Sequence, residues 1–210
     1  MQQVFEKQRT AFASNPYAST ALRRERLSRL MALLLDNEEK IIAAIDADYG
    51  GRPRTETRLL EIFPSLEGLR YAQRHVAGWM RPEPRQTSLW FFPGRSEVHY
   101  QPLGVVGVVV PWNYPLYLAL EPMTAALAAG NHVMVKMSEY SPRLGELLAQ
   151  LLPKYLPAEV ASVVNGGADV GQAFCGLPWN HLLFTGSTAV GRQVMRAAAE
   201  HLTPVTLELG

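Results

Sequence analysis

Apolar residues recur at helical spacing through the first third of the chain. Leu27, Leu30, Met31 and Leu34 fall on one helical face behind the charged run Arg23, Arg24, Glu25 and Arg26. Asp36 or Asn37 is placed to cap a following helix carrying Ile41, Ile42 and Ile45, which Gly50 and Gly51 stop. Leu59, Leu60, Phe63, Leu66 and Leu69 predict a further helical stretch, bent at Pro64. Residues 81–94 hold Pro82, Pro84 and Pro93 and read as an irregular connector. Residues 97–100 and 105–110, separated by Gln101-Pro102-Leu103-Gly104, predict a strand, a turn and a second strand, hence a β-hairpin.

From residue 104 onward the pattern alternates between short apolar runs and helical spacing. Strands are expected at 105–110, 132–136, 160–164, 181–185 and 204–209. Helices are expected at 123–129 (ended by Gly130), after Ser141-Pro142, near 170–174 and at 189–199. The nearly unbroken β-branched run at 105–110 suits a strand buried on both faces. Strands alternating with helices imply a parallel sheet wrapped on both sides. The fold class is therefore α/β: a doubly wound parallel sheet over 104–210, with an N-terminal helical region, the connector and the first hairpin strand over 1–103.

Composition narrows the class. Of 210 residues, 48% are hydrophobic and 19% charged, which excludes a disordered chain or a coiled coil. A formal net charge of +1 argues against a broad nucleic-acid surface. Cys175 is the single cysteine, so no intramolecular disulfide forms, and a reducing, cytoplasmic setting is the simpler expectation. The N-terminus lacks the apolar core of a secretory signal. The greasiest stretch, 103–135, is interrupted by Pro111, Asn113, Pro115, Glu121, Pro122 and His132, so no membrane span is expected.

In an open parallel sheet, ligands bind beyond the carboxyl ends of the strands. Those ends carry Pro111-Trp112-Asn113, Lys136-Met137-Ser138-Glu139, Asn165-Gly166-Gly167, Thr185-Gly186-Ser187 and Glu208. Gly186-Ser187-Thr188-Ala189-Val190-Gly191 joins a strand to a helix, where glycine lets backbone approach a phosphate and the first-turn N–H groups favour an anion. The spacing is not GxGxxG, and an ordinary tight turn is the competing reading. Glu139 can accept hydrogen bonds from ribose hydroxyls with Lys136 beside it, and its charge disfavours a 2′-phosphate; a solvated Lys/Glu pair is the alternative. Asn113, pinned between Pro111 and Pro115, can offer its amide to a developing oxyanion or simply stabilise a turn. Glu208, if partly desolvated at the end of an apolar strand, would serve as a base; otherwise it points to water. His75, His99, His132, His181 and His201 show no HxxxH spacing and no CxxC is present, so no metal site is expected.

Four motifs in order give the chain a resemblance to the N-terminal portion of the aldehyde dehydrogenase superfamily. Pro111-Trp112-Asn113-Tyr114-Pro115 resembles its P-W-N-x-P segment. Ala128-Ala129-Gly130-Asn131 with Lys136-x-Ser138-Glu139 resembles A-A-G-N…K-P-S-E, with Met137 where the family usually has proline. The stretch from Phe184 to Gly191 is similar to F-T-G-S-x-x-x-G, and Leu207-Glu208-Leu209-Gly210 to the start of L-E-L-G-G. The resemblance implies a Rossmann-like domain binding NAD (NADP possible) through Trp112, Lys136, Glu139, Gly186, Ser187, Thr188 and Gly191. It implies Asn113 as oxyanion donor and Glu208 as general base in oxidising an aldehyde to an acid through a cysteine thioester.

Asp48-Tyr49-Gly50-Gly51-Arg52-Pro53 and Glu61-Ile62-Phe63-Pro64-Ser65 resemble the class-3-like branch and, within it, coniferyl aldehyde dehydrogenases. That implies an aromatic aldehyde substrate and a homodimeric full-length protein; Phe63, Trp112, Tyr114 and Tyr117 would supply walls for the substrate, with packing in the core as the competing reading. The family's nucleophilic cysteine lies downstream of the glutamate motif, so these residues alone are expected to be inactive; Cys175 has no nucleophile context. Two other readings stay open: a non-catalytic nucleotide-binding fragment, and an acyl-forming semialdehyde reductase of the same superfold.

Overall fold

A computed structural model describes all 210 residues. Helices α1 (Gln2–Ser14), α2 (Thr20–Tyr49) and α3 (Arg54–Thr57) lead through a π-helical turn, Arg58–Ile62, into α4 (Phe63–Trp79). The Ser19 hydroxyl accepts the Leu22 N–H at the start of α2, and Gly50 closes it in the left-handed region at φ 67°. The two helices expected around Asp36 are one kinked helix. Asn37 departs from helical geometry (φ −126°, ψ 16°), but its side-chain amide bonds back to the Leu33 carbonyl and out to the Tyr155 hydroxyl, both at 3.0 Å. Those bonds carry the chain through the kink without a new cap.

The hairpin between residues 97–100 and 105–110 does not form. Strand β1 (Glu83–Arg85), inside the supposedly irregular connector, pairs antiparallel with β2 (Ser96–Val98), Glu83 opposite Val98. Between them a 3-10 turn, Leu89–Phe91, leaves Leu89, Trp90, Phe91 and Phe92 exposed. Strand β3 (Val105–Val109) is apolar on both faces and finds two apolar neighbours in the main sheet; polar β2 could not replace either one.

That sheet has five parallel strands in the order β5-β4-β3-β6-β7, with β4 (His132–Lys136), β5 (Ala161–Val164), β6 (His181–Gly186) and β7 (Val205–Leu209). The connections run through α5 (Tyr117–Ala129), α6 (Pro142–Tyr155), α7 (Ala168–Cys175) and α8 (Thr188–Ala199). Side chains alternate between two cores. Val106, Val108, Val133 and Val135 pack with apolar residues of α2, α4, α5 and α6. Val105, Met134, Leu182 and Phe184 pack with Phe5 of α1, Phe174 of α7 and Val194 of α8. The sheet is thus wound on both faces, as its alternation implies. Because Leu27, Leu30 and Leu69 share one core with Val106 and Val108, the helical region and the sheet are fused across residue 104.

Two anchors have no counterpart in the apolar pattern. The Gln8 amide of α1 donates to the Val133 and Ala158 carbonyls at 3.0 Å and to the Ser162 hydroxyl at 3.2 Å, fixing α1 to the sheet. At the start of α6, the Ser141 hydroxyl does not cap the helix and is buried without a partner. The carboxylate of Asp48 instead accepts the Arg143 and Leu144 N–H groups at 2.9 and 3.0 Å.

Candidate active site

Strand register brings the candidate residues to one edge of the sheet. Val109 at the end of β3 lies opposite Lys136 of β4 and Phe184 of β6, and Thr185 of β6 lies opposite Glu208 of β7. The Trp112-Asn113 loop, the Lys136-Glu139 turn, Gly186-Ser187 and Glu208 therefore share the carboxyl-end rim. The chain winds outward from β3 to β5, then crosses to β6 on the other side. The gap between β3 and β6 is a switch point where neighbouring connections diverge and leave a crevice. Asn113 and Gly186 stand on either side of it.

On the β6 side, Ser187 caps α8, its hydroxyl accepting the Val190 N–H at 3.4 Å. Thr188 and Ala189 are exposed, leaving the first turn of α8 open to a ligand. Two glycines make the turn tight. A Cβ on Gly186 would come within 2.6 Å of the Phe184 ring, and one on Gly191 within 2.6 Å of the Leu209 side chain.

On the β4 side, the Lys136 side chain is only 4% accessible, and its ammonium meets one partner, Glu139 Oε2 at 2.9 Å. An ammonium has three donors, so a nearly buried group remains under-used. Burial pushes the Glu139 carboxyl upward, but its own backbone N–H and the Lys136 ammonium outweigh it and hold the group below the ordinary carboxylate value. Glu139 is thus ionised at neutral pH. Cys175 lies in the core beside this turn, and burial pushes its thiol up to about 11, against the pull of Lys136. A thiol held so high is a poor nucleophile at neutral pH.

Trp112 is 56% exposed and, with Asp48, Tyr49 and Tyr140, lines a hollow of about 470 Å³ beside the rim. Asn113 is exposed, and the backbone on either side of it is held from below. The Tyr49 hydroxyl reaches the Trp112 carbonyl and, at 2.6 Å, the Asn113 carbonyl. The Arg52 guanidinium lies 4.9 Å from the Tyr49 ring centroid and 5.1 Å from that of Tyr114, and Nη1 meets Glu61 Oε1 at 2.5 Å. Glu61 is fully buried, and its other oxygen accepts the Leu116 and Tyr117 N–H groups at 2.7 and 3.2 Å, capping α5. Burial pushes its carboxyl above the ordinary value, opposed by Arg52 and the two amides.

Neither Tyr49 nor Glu61 stands out in the sequence as part of this site, although Glu61 could be noticed as an acid between Leu60 and Ile62 in an apolar helical pattern. Glu208 is exposed at the end of β7, the second of the two arrangements its strand allows. Phe63, Trp112 and Tyr114 likewise lie on the surface, while Tyr117 is half-buried.

Comparison with known proteins agrees with the rim's composition. The profile of the aldehyde dehydrogenase family matches residues 1–210. A probable coniferyl aldehyde dehydrogenase of Pseudomonas aeruginosa is 52% identical over 210 residues, covering 100% of this chain and 44% of the relative. The coniferyl aldehyde dehydrogenase of a Pseudomonas species is 45% identical over 208 residues, covering 99% and 43%. Among solved structures, substrate-bound Staphylococcus aureus AldH superposes with a TM-score of 0.96 at 31% identity, over 100% of this chain and 45% of that one. The Mycobacterium tuberculosis aldehyde dehydrogenase complexed with NAD+ gives 0.86 at 33% identity, over 98% and 42%. The chain spans less than half the length of these relatives. With every residue inside the family profile and the fold superposing throughout, the chain belongs to the aldehyde dehydrogenase family.

Proposed function

We propose that these residues are the cofactor-binding part of an NAD(P)-dependent aldehyde dehydrogenase that oxidises aromatic, coniferyl-type aldehydes to carboxylic acids. The observation that carries this reading is the under-used, nearly buried Lys136 ammonium beside ionised Glu139, on the same rim as the open first turn of α8. The glycine-tight turn and these donors suit a dinucleotide. The N–H groups after Gly186, with Ser187 and Thr188, would hold its pyrophosphate, while Gly191 lets α8 pack close to β7. Lys136 and Glu139 would bind the adenosine ribose, with Trp112 alongside. Bound there, NAD supplies the hydride acceptor. The charge on Glu139 opposes a 2′-phosphate and favours NAD over NADP.

Asn113 donates its amide N–H to the carbonyl oxygen as negative charge builds on it. Glu208 takes a proton from the water that hydrolyses the thioester, and the desolvation it needs comes from parts of the protein outside these residues. The attacking thiol belongs to the region that the relatives carry beyond the position of Gly210. Residues 1–103 and 104–210 then serve as helical support and nucleotide domain of a cytoplasmic homodimer. The coniferyl names of the two bacterial relatives support the substrate class. The test is turnover of coniferaldehyde with NAD by the full-length protein, with the product identified by mass spectrometry. Free acid is expected. An acyl derivative would point to the acyl-forming reductase, and absence of NAD reduction with any aldehyde would end the proposal.

A further inference from the structure

We infer that Tyr49, seated on the buried Arg52–Glu61 pair, is the positioning residue that aims the Asn113 amide. The inference rests on the oxyanion role proposed above for Asn113. Its basis is where the hydrogen bonds fall. Each peptide unit is planar, so fixing the carbonyl of residue 112 sets the plane before the Asn113 Cα, and fixing the carbonyl of residue 113 sets the plane after it. Tyr49 reaches both oxygens with one hydroxyl, its single proton shared between them. With both planes set, φ and ψ of Asn113 are set, and so is the direction of its Cβ. Only the side-chain torsions remain free.

The hydroxyl is itself fixed. Tyr49 ends α2, where the left-handed turn at Gly50 swings Arg52 beneath its ring. Arg52, whose side chain is 3% accessible, lies between the rings of Tyr49 and Tyr114, and its Nη1 also reaches the Asn113 carbonyl at 3.5 Å. Glu61 closes the arrangement by joining Arg52 to the Leu116 and Tyr117 N–H groups. The loop is thus fastened before, at and after Asn113 to one buried ion pair. An oxyanion donor must meet the oxygen at hydrogen-bonding distance, and a misplacement of about 1 Å can cost on the order of 10²-fold in rate. A seat of this kind is what that tolerance requires.

The test is a double-mutant cycle in the full-length enzyme. Asn113→Ala is expected to lower kcat by about 10²–10³-fold. Tyr49→Phe keeps the ring over Arg52 and removes only the hydroxyl. It should lower kcat by about 10-fold while the NAD dissociation constant moves less than about 2-fold. In the Asn113→Ala background, Tyr49→Phe should cost less than about 2-fold, because it acts through the missing amide. Arg52→Lys, which keeps the charge but loses the guanidinium that lies over both tyrosine rings, should show the same dependence on Asn113.

An equal loss from Tyr49→Phe in both backgrounds would make Tyr49 a general support of the fold and overturn the inference. So would no loss in the parent enzyme when Asn113→Ala is impaired. If Asn113→Ala itself turned over normally, the oxyanion reading would fall, and the inference with it.

Discussion

His132 opens β4 with its ring 3% exposed, edge-on to Phe12 at 5.6 Å and with Nε2 3.5 Å from Arg26 Nη2. Burial, and then the Arg26 charge, push its pKa from 6.5 down to about 4. The folded protein therefore keeps the ring neutral at pH values where the unfolded chain protonates it. Between those two values the unfolded state binds more protons, so stability is full above pH 6.5 and is lost as pH falls towards 4. The gap corresponds to about 3 kcal/mol in total, and to about 2 kcal/mol between pH 7 and pH 5. Half-buried His181 is shifted in the same direction by desolvation and adds a loss of the same sign, so the effect of His132 must be isolated by substitution. Urea unfolding at pH 7 and pH 5 should show the parent protein losing about 2 kcal/mol more than His132→Gln, whose side chain does not titrate. If the two lose the same amount, the ring is not held neutral by burial and the reasoning fails.

Three further outcomes follow from the site and its supports. In Gly186→Ala the new methyl meets the buried Phe184 ring at 2.6 Å, so the turn must shift; NAD affinity should fall about 10-fold by calorimetric titration. Unchanged affinity would remove this turn from the cradle. In Glu139→Gln the charge opposing a 2′-phosphate is gone, and the NAD-to-NADP ratio of kcat/KM should fall by about 10-fold; a constant ratio would place the discriminating group elsewhere. Asp48→Ala deprives α6 of its cap and should cost about 0.5–2 kcal/mol in urea unfolding, with an unchanged midpoint as the contrary result.

The sheet was legible because each of its strands is a short apolar run set between helices, and such runs have few stable arrangements. Val105 to Val109 can be satisfied only between two other apolar strands, which is why the hairpin reading failed: β2 is too polar to stand beside them. Strand β1 left no trace, since Glu83, Pro84 and Arg85 carry no strand-like pattern and form a strand only against residues 96–98. The chemistry-bearing residues of the rim could be named because they cluster at strand ends. Their supports could not. Asp48 caps a helix 95 residues away, and Glu61 holds amides 55 and 56 residues away. Such partnerships depend on tertiary approach and leave no periodic signature. Glu61 shows in the sequence only as an acid between Leu60 and Ile62, with nothing there to tell which amides it holds.

The order of the five strands has a mechanical consequence. Lys136 and Glu139 ride on one wing of the sheet and Gly186 and Ser187 on the other, and within the sheet the two wings meet at the β3–β6 seam. A dinucleotide reaching from one group to the other would act as a staple across that seam. Occupancy would then slow its opening, and protection of the β3 and β6 amides from deuterium would rise with ligand concentration.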